Sequence, residues 1–181
     1  MDLFVAANLA DRVYRGSTYS VGSVIEIGNI EYKVIAKASN DRTGFNAMAV
    51  SDQSGGVAIV FAGTDSKEDL FEDFGVAVGA SIAQEKDARY FYDAATTAAI
   101  QRGHDLKADG AMCSVTVIGH SLGGYLAQKI SQATGTPAVA INAPGQLGII
   151  ADIMSSFGSP MQKPGGRWTA PIEWSEFNVI A

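Results

Sequence analysis

The sequence predicts an α/β domain, a mostly parallel sheet flanked by helices, with a β-hairpin region at its N-terminal end. Three observations predict it. Residues 24–61 hold two pairs of strand-like runs separated by turn formers. From Ser66 onward, apolar residues recur at helical rather than alternating spacing. Between the helical stretches lie apolar runs without polar alternation, 57–62, 115–118 and 138–141, as strands covered on both faces require. The 181 residues read as a single domain over 1–181, and one that is incomplete at its C-terminal end.

In chain order, Val24–Ile27 and Ile30–Ile35 flank Gly28-Asn29, whose residues tolerate the positive φ of a tight hairpin turn. Phe45–Val50 and Val57–Phe61 flank the turn-rich Asp52-Gln53-Ser54-Gly55-Gly56, a second hairpin. Ser66 with Asp69 three residues later matches a capping box opening a helix through Asp73 or beyond. A helix over 84–102 places Tyr90, Phe91, Ala94, Ala95, Ala98 and Ala99 at helical spacing, with Gly103 at the stop position. Strand 115–118 leads into a helix over 122–134, striped by Leu122, Leu126, Ile130 and Ala133 and ended by Gly135 and Pro137. Strand Ala138–Ile141, a helix over 147–156, a turn-rich loop over 155–166 and a strand-like run Phe177–Ala181 complete the order.

Composition narrows the partners. Thirteen basic against nineteen acidic residues give a net charge of -6 and a pI near 4.8, so no positive field exists to hold a phosphate backbone. Nucleic acid is excluded as a partner. A single cysteine, Cys113, rules out an internal disulfide framework and a cysteine-rich zinc site. No acidic run has EF-hand spacing, so neither metal nor cofactor is expected. Asp2 stands where a secretory signal needs a basic residue. The longest lightly charged stretch, Gly75–Ala83, falls well below the roughly 18 residues that span a bilayer. A cytoplasmic address and export by a signal-independent route both stay open.

The chemistry concentrates at Gly119-His120-Ser121-Leu122-Gly123-Gly124, between the strand at 115–118 and the helix at 122–134. This is the G-x-S-x-G pattern of a nucleophile elbow in its strand–turn–helix context. The requirement is steric: the serine occupies a sharp strained turn, and glycine two residues to either side lets strand and helix approach. Ser121 is the candidate nucleophile. The Leu122 amide, in the first helical turn, would face the oxyanion formed when Ser121 attacks a carbonyl, with the helix dipole assisting. The alternative is an ordinary glycine-rich βα turn.

Together with Ile59-Val60-Phe61-Ala62-Gly63-Thr64-Asp65-Ser66, this motif resembles the class 3 (fungal-type) lipases of the α/β-hydrolase superfamily, particularly their bacterial branch. The acidic Asp69-Leu70-Phe71-Glu72-Asp73 and the later Asn142-Ala143-Pro144-Gly145 agree with it. The resemblance covers roughly residues 45–181 and implies an α/β-hydrolase-like sheet. It also implies that Thr64 supplies the second oxyanion-hole amide; the alternative is that Thr64 or Ser66 merely caps the next helix. Ala62 stands where such lipases usually carry Arg. Gly119, His120 and Gly123 shape the elbow, His120 as a packing residue facing away from the hydroxyl.

Serine needs a base, and in this superfamily the order is Ser, then Asp or Glu, then His. Both histidines, His104 and His120, precede or adjoin Ser121, and His104 sits where an exposed histidine stabilises a helix end. Asp152, the sole Asp after the elbow, falls in the expected helix 147–156. The triad Asp and His are therefore expected beyond residue 181. Two rival accounts are a degenerate, inactive hydrolase and a rearranged site using Asp152, Glu173 or Glu176. Without its base, such a serine loses about 10⁶-fold in turnover, so this polypeptide by itself should hydrolyse esters very slowly.

Residues 75–83 read as a mobile apolar lid, a buried helix continuation or a plain loop. Trp168, Trp174 and Phe177 read as packing against the sheet edge or as an acyl-chain contact. The expected function is hydrolysis of a lipid or small carboxylic ester, with transient contact to a lipid interface. The alternative is a non-catalytic binding or scaffolding domain that kept the fold and lost its base.

Overall fold

A two-residue loop returns the chain antiparallel, whereas a parallel neighbour needs a crossover long enough for a helix. Both rules operate in the computed structural model, which describes residues 1–63, 74–102, 114–143 and 177–180; for 74–82 and 177–180 it describes the backbone alone. Among the described residues seven strands form one sheet in chain order: β1 (Val24–Ile27), β2 (Ile30–Asn40), β3 (Phe45–Asp52), β4 (Val57–Phe61), β5 (Val115–His120), β6 (Ala138–Ile141) and β7 (Phe177–Ile180). The described helices are α1 (Leu3–Arg12), α2 (Phe74–Gln101) and α3 (Leu122–Thr134), with a 3₁₀ stretch over Val13–Thr18.

The sheet is mixed, which corrects the expectation of a mostly parallel one. Only β4–β5 and β5–β6 are parallel. The pairs β1–β2, β2–β3, β3–β4 and β6–β7 are antiparallel. The reason lies in the connections: β1 to β4 are joined by loops of a few residues, while α2 lies between β4 and β5 and α3 between β5 and β6. Both hairpins form as expected, although β2 runs on past Ile35 to Asn40, because 36–40 pair with 45–49 of β3.

Each face of the sheet has its own core. On β4, Val57, Ile59 and Phe61 join Phe91, Ala95 and Ala99 of α2 and Leu122, Leu126 and Ile130 of α3. The intervening Ala58 and Val60 point the other way and join Val5, Leu9 and Val13. All five β4 residues are buried, as the run without polar alternation predicted. On α2 the buried stripe is Ala88-Phe91-Ala95-Ala99, whereas Tyr90 and Ala94 of the expected stripe are exposed. Ala133 at the end of α3 is exposed as well. Gly135 closes that helix in the left-handed region (φ 74°), its N–H donating to Ser131.

Residues 3–18, to which the sequence pattern assigned no element, cover the second face. The Asp2 carboxylate accepts the Phe4 N–H at 2.7 Å and caps α1. Val5, Leu9 and Val13, four apart, bury one stripe. The 3₁₀ stretch is pinned from below: the Lys37 ammonium of β2 donates to the carbonyls of Gly16 and Tyr19.

The segment 75–83 is helical backbone, the first turns of α2, and not a loop. The capping box at Ser66 and Asp69, the helix 147–156 and the loop 155–166 lie outside the described residues. No described helix is long and apolar enough to cross a membrane. Beyond its first turns α2 is anchored to the β2–β3 loop. Asp87 accepts from Thr43 Oγ1 at 2.6 Å and Asn40 Nδ2 at 3.0 Å, and buried Gln84 donates to the Thr43 carbonyl at 2.7 Å. Asp87→Ala removes two charge-assisted bonds and should lower unfolding free energy by about 1–3 kcal/mol. Urea denaturation reads this directly, and an unchanged midpoint would show that the anchor contributes nothing.

Candidate active site

The parallel strands β4, β5 and β6 end side by side, Phe61 opposite Gly119 and His120 opposite Ile141. Their carboxyl ends bring together Gly63, Ser121 and Asn142, at the edge where open α/β sheets bind ligands. Ser121 occupies the junction between β5 and α3 with φ 54° and ψ -127°. Its N–H donates to the Ile141 carbonyl at 2.9 Å, and its own carbonyl accepts the Tyr125 N–H at 3.1 Å, the first bond of α3. The residue is half-buried and its side chain makes no capping bond to the helix. A non-glycine residue held there stores about 1–3 kcal/mol of strain.

What holds it there is the close approach of α3 to two strands. A methyl group added at Gly119 would overlap the Gly123 carbonyl and lie 2.6 Å from the Gly124 nitrogen; one added at Gly123 would overlap the Phe61 carbonyl. The first turn of α3 therefore rests directly on the ends of β4 and β5, and the chain has no slack with which to relax residue 121. Leu122 is the first residue of α3, its side chain buried. As a first-turn donor its N–H has no acceptor within the helix, and it lies at the positive end of the helix dipole.

The His120 side chain reaches an unexpected partner. Its Nδ1 lies 3.1 Å from Tyr14 Oη, the two rings edge to face with centroids 6.2 Å apart. The same hydroxyl accepts the Gly63 N–H at 3.0 Å. Tyr14 belongs to the 3₁₀ stretch, 106 positions before His120 in the chain. No motif signals it. The α1 stripe carries the segment across the sheet face and ends at Val13, one residue before Tyr14.

On the opposite face Tyr125 donates its hydroxyl to Glu85 of α2, and the Lys129 ammonium lies 5.4 Å above its ring. Burial first, and then the Glu85 carboxylate, push the Tyr125 phenol above its ordinary range, so it stays a neutral donor. Asn142 adopts φ 46°, a left-handed conformation that Asn tolerates. Among the described residues no three His, Cys, Asp or Glu side chains converge on a common point.

Of the residues singled out from sequence, Gly119, His120, Ser121, Leu122 and Gly123 lie together at this junction. Thr64, His104, Asp152, Trp168, Glu173, Trp174 and Glu176 lie outside the described residues, and Phe177 is described only as backbone of β7. Ala62, where lipases of the resembled family usually carry Arg, is buried in the α1 core, its N–H donating to the Asn46 carbonyl at 2.9 Å.

A comparison of two variants isolates the strain. Ser121→Gly relieves the unfavourable φ and ψ while Ser121→Ala keeps them, so the glycine variant should be the more stable by about 1 kcal/mol. Paired thermal melts check it, and an alanine variant as stable as the glycine one would mean that residue 121 is unstrained.

A family model described as a Tle-like phospholipase domain matches residues 5–154. No curated protein sequence gives a significant match. Among solved structures, a triacylglycerol lipase from Penicillium expansum aligns with TM-score 0.48 and 14% identity, covering 76% of this chain and 58% of that one. The lipase of Rhizomucor miehei, in its propeptide complex, aligns with TM-score 0.44 and 18% identity, covering 67% of this chain and 42% of that one. The chain thus spans 58% and 42% of the lengths of these two lipases.

Proposed function

The chain belongs to the Tle-like phospholipase domain family, and from that premise we propose that it carries the nucleophile of a serine carboxylic-ester hydrolase acting on acyl esters of lipids. The observation that carries the reading is the backbone of Ser121: a serine at φ 54° and ψ -127°, between a parallel strand and a helix start, held against relaxation by glycine contacts on both sides. Strain of that kind persists only where the surroundings over-determine it, and it clusters at working sites.

In this reading Ser121 Oγ adds to the acyl carbonyl carbon, and the carbonyl π electrons move to oxygen. The resulting oxyanion is received by the N–H groups of Leu122 and Thr64, Leu122 helped by the dipole of α3. The serine proton passes to a histidine base and from it to the departing alcohol or glycerol oxygen. Water then cleaves the acyl-serine ester by the reverse sequence. Gly119 and Gly123 set the turn, and His120, bonded to Tyr14, shapes it without serving as the base. In the order this superfamily keeps, the acid and the histidine follow the serine in the chain. Neither a metal nor a cofactor takes part in this scheme.

Phospholipid acyl esters are the first substrate class, with acylglycerols and simple esters as neighbours of the same chemistry. The purified full-length protein should release fatty acid and lysophospholipid from mixed phosphatidylcholine–phosphatidylglycerol micelles. Ser121→Ala should lower that rate by at least about 10⁴-fold. A wild-type protein that cleaves none of these esters, and whose Ser121 is not labelled by a fluorophosphonate, would instead be a binding or scaffolding domain.

A further inference from the structure

We propose that Tyr14 is a positioning residue for the nucleophile corner: its hydroxyl fixes the Gly63 amide at the end of β4 and the His120 ring at the end of β5, on either side of Ser121. The inference rests on the functional reading above and extends it to a part of the chain that reading does not touch.

The geometry points to Tyr14 through four groups in one contact set. Tyr14 Oη accepts the Gly63 N–H at 3.0 Å and lies 3.1 Å from His120 Nδ1. A methyl group added at Gly63 would stand 2.6 Å from Tyr14 Oη, 2.7 Å from the His120 carbonyl oxygen and 3.1 Å from Ser121 Cβ. The Tyr14 hydroxyl, the end of β5 and the serine are thus packed around Gly63 at the end of β4. A phenol oxygen can accept one hydrogen bond while donating or accepting another, so the hydroxyl that accepts from Gly63 also pairs with Nδ1 in either tautomer of the imidazole. One oxygen then holds both strand ends.

The hydroxyl is itself held from outside the site. Lys37 ties down the carbonyls of Gly16 and Tyr19 at the end of the 3₁₀ stretch. Gly16 packs on the Asn46 side chain, so that a methyl group added there would stand 3.2 Å from its amide atoms, and the Asn46 carbonyl accepts the Ala62 N–H at 2.9 Å. The support beneath Tyr14 and the support of the residue before Gly63 are therefore one residue of β3. This rigidity is what positioning requires, since a displacement of about 1 Å in a group that stabilises a transition state costs on the order of 10²-fold. The Gly63 N–H is thereby committed to Tyr14 and holds the shape of the corner.

Tyr14→Phe keeps the ring and its edge-to-face contact with His120 and deletes only the oxygen. In the full-length protein, kcat for acyl-ester cleavage should fall about tenfold to a hundredfold, with KM within about twofold and the melting temperature lowered by no more than about 2–4 °C, the cost of one hydrogen bond. Hydrogen exchange should show the Gly63 amide protected in the wild type and exposed in the variant. An unchanged kcat overturns the proposal. A fall in kcat accompanied by a comparable rise in KM and a larger drop in melting temperature assigns Tyr14 a merely structural role and overturns it as well. A wild type inert to esters and to fluorophosphonate overturns the functional reading and the positioning role together. An active wild type with an indifferent Tyr14→Phe overturns the positioning role alone.

Discussion

The structure turns on the absence of side chains where the first turn of α3 meets β4 and β5. Gly119 and Gly123 put backbone against backbone, with the Phe61 carbonyl as the third party. A helix brought that close cannot be joined to its strand by an ordinary turn, because the connecting residue has no room to swing outward. Residue 121 absorbs the misfit in its own dihedral angles. The cost, about 1–3 kcal/mol, is small against what the two cores on either side of the sheet contribute through burial of branched side chains. The strain is thus stable because it is local and the burial that opposes it is distributed.

The two-faced sheet explains why a segment as remote as the N-terminus ends at the site. Both parallel crossovers place their helices on one face, where α2 and α3 share a core with Phe61, Val117 and Leu126. Crossovers of one hand stepping in one direction always do so. The other face of β4, β5 and β6 would stay open, with Val60, Ile118 and Val139 exposed, unless another element covered it. α1 covers it. The chain leaving α1 emerges at the carboxyl ends of the strands, and the 3₁₀ stretch delivers Tyr14 to Gly63 and His120. Covering the sheet and bracing the site are consequences of the same path.

What could be read from the sequence follows from how local each cause is. Gly28-Asn29 specifies its hairpin through its own φ preferences, the run 57–62 reveals double-sided burial through composition alone, and Gly119 and Gly123 mark a close approach by their spacing. The sheet is less parallel than the helical periodicity of the second half implies, because the short loops of the first half force three antiparallel pairings and β7 adds a fourth beside β6. α1 is weakly marked despite Asp2 and the spacing of Val5, Leu9 and Val13, since ten residues with one stripe carry little signal by themselves. Tyr14 was out of reach altogether. Its role depends on contacts 49 and 106 residues away, which no local pattern encodes.

The hydrogen bonds at the junction also determine which groups are left to meet an incoming anion. The Ser121 N–H is taken by the Ile141 carbonyl, the Gly63 N–H by Tyr14, and the Tyr125 N–H by the carbonyl of Ser121 itself. Each of these donors lies within reach of the strained corner, and each is committed to holding its shape. The first-turn amides of α3 have no acceptor in their own helix, and among them Leu122 is the one adjoining the serine. In the proposed reaction a carbonyl approaching Ser121 meets a corner whose structural amides are already bonded among the described residues, while the Leu122 N–H is not consumed by its own helix. Charge developing there would be stabilised without breaking any bond that keeps the corner in place, which is the condition for preorganised rather than induced stabilisation.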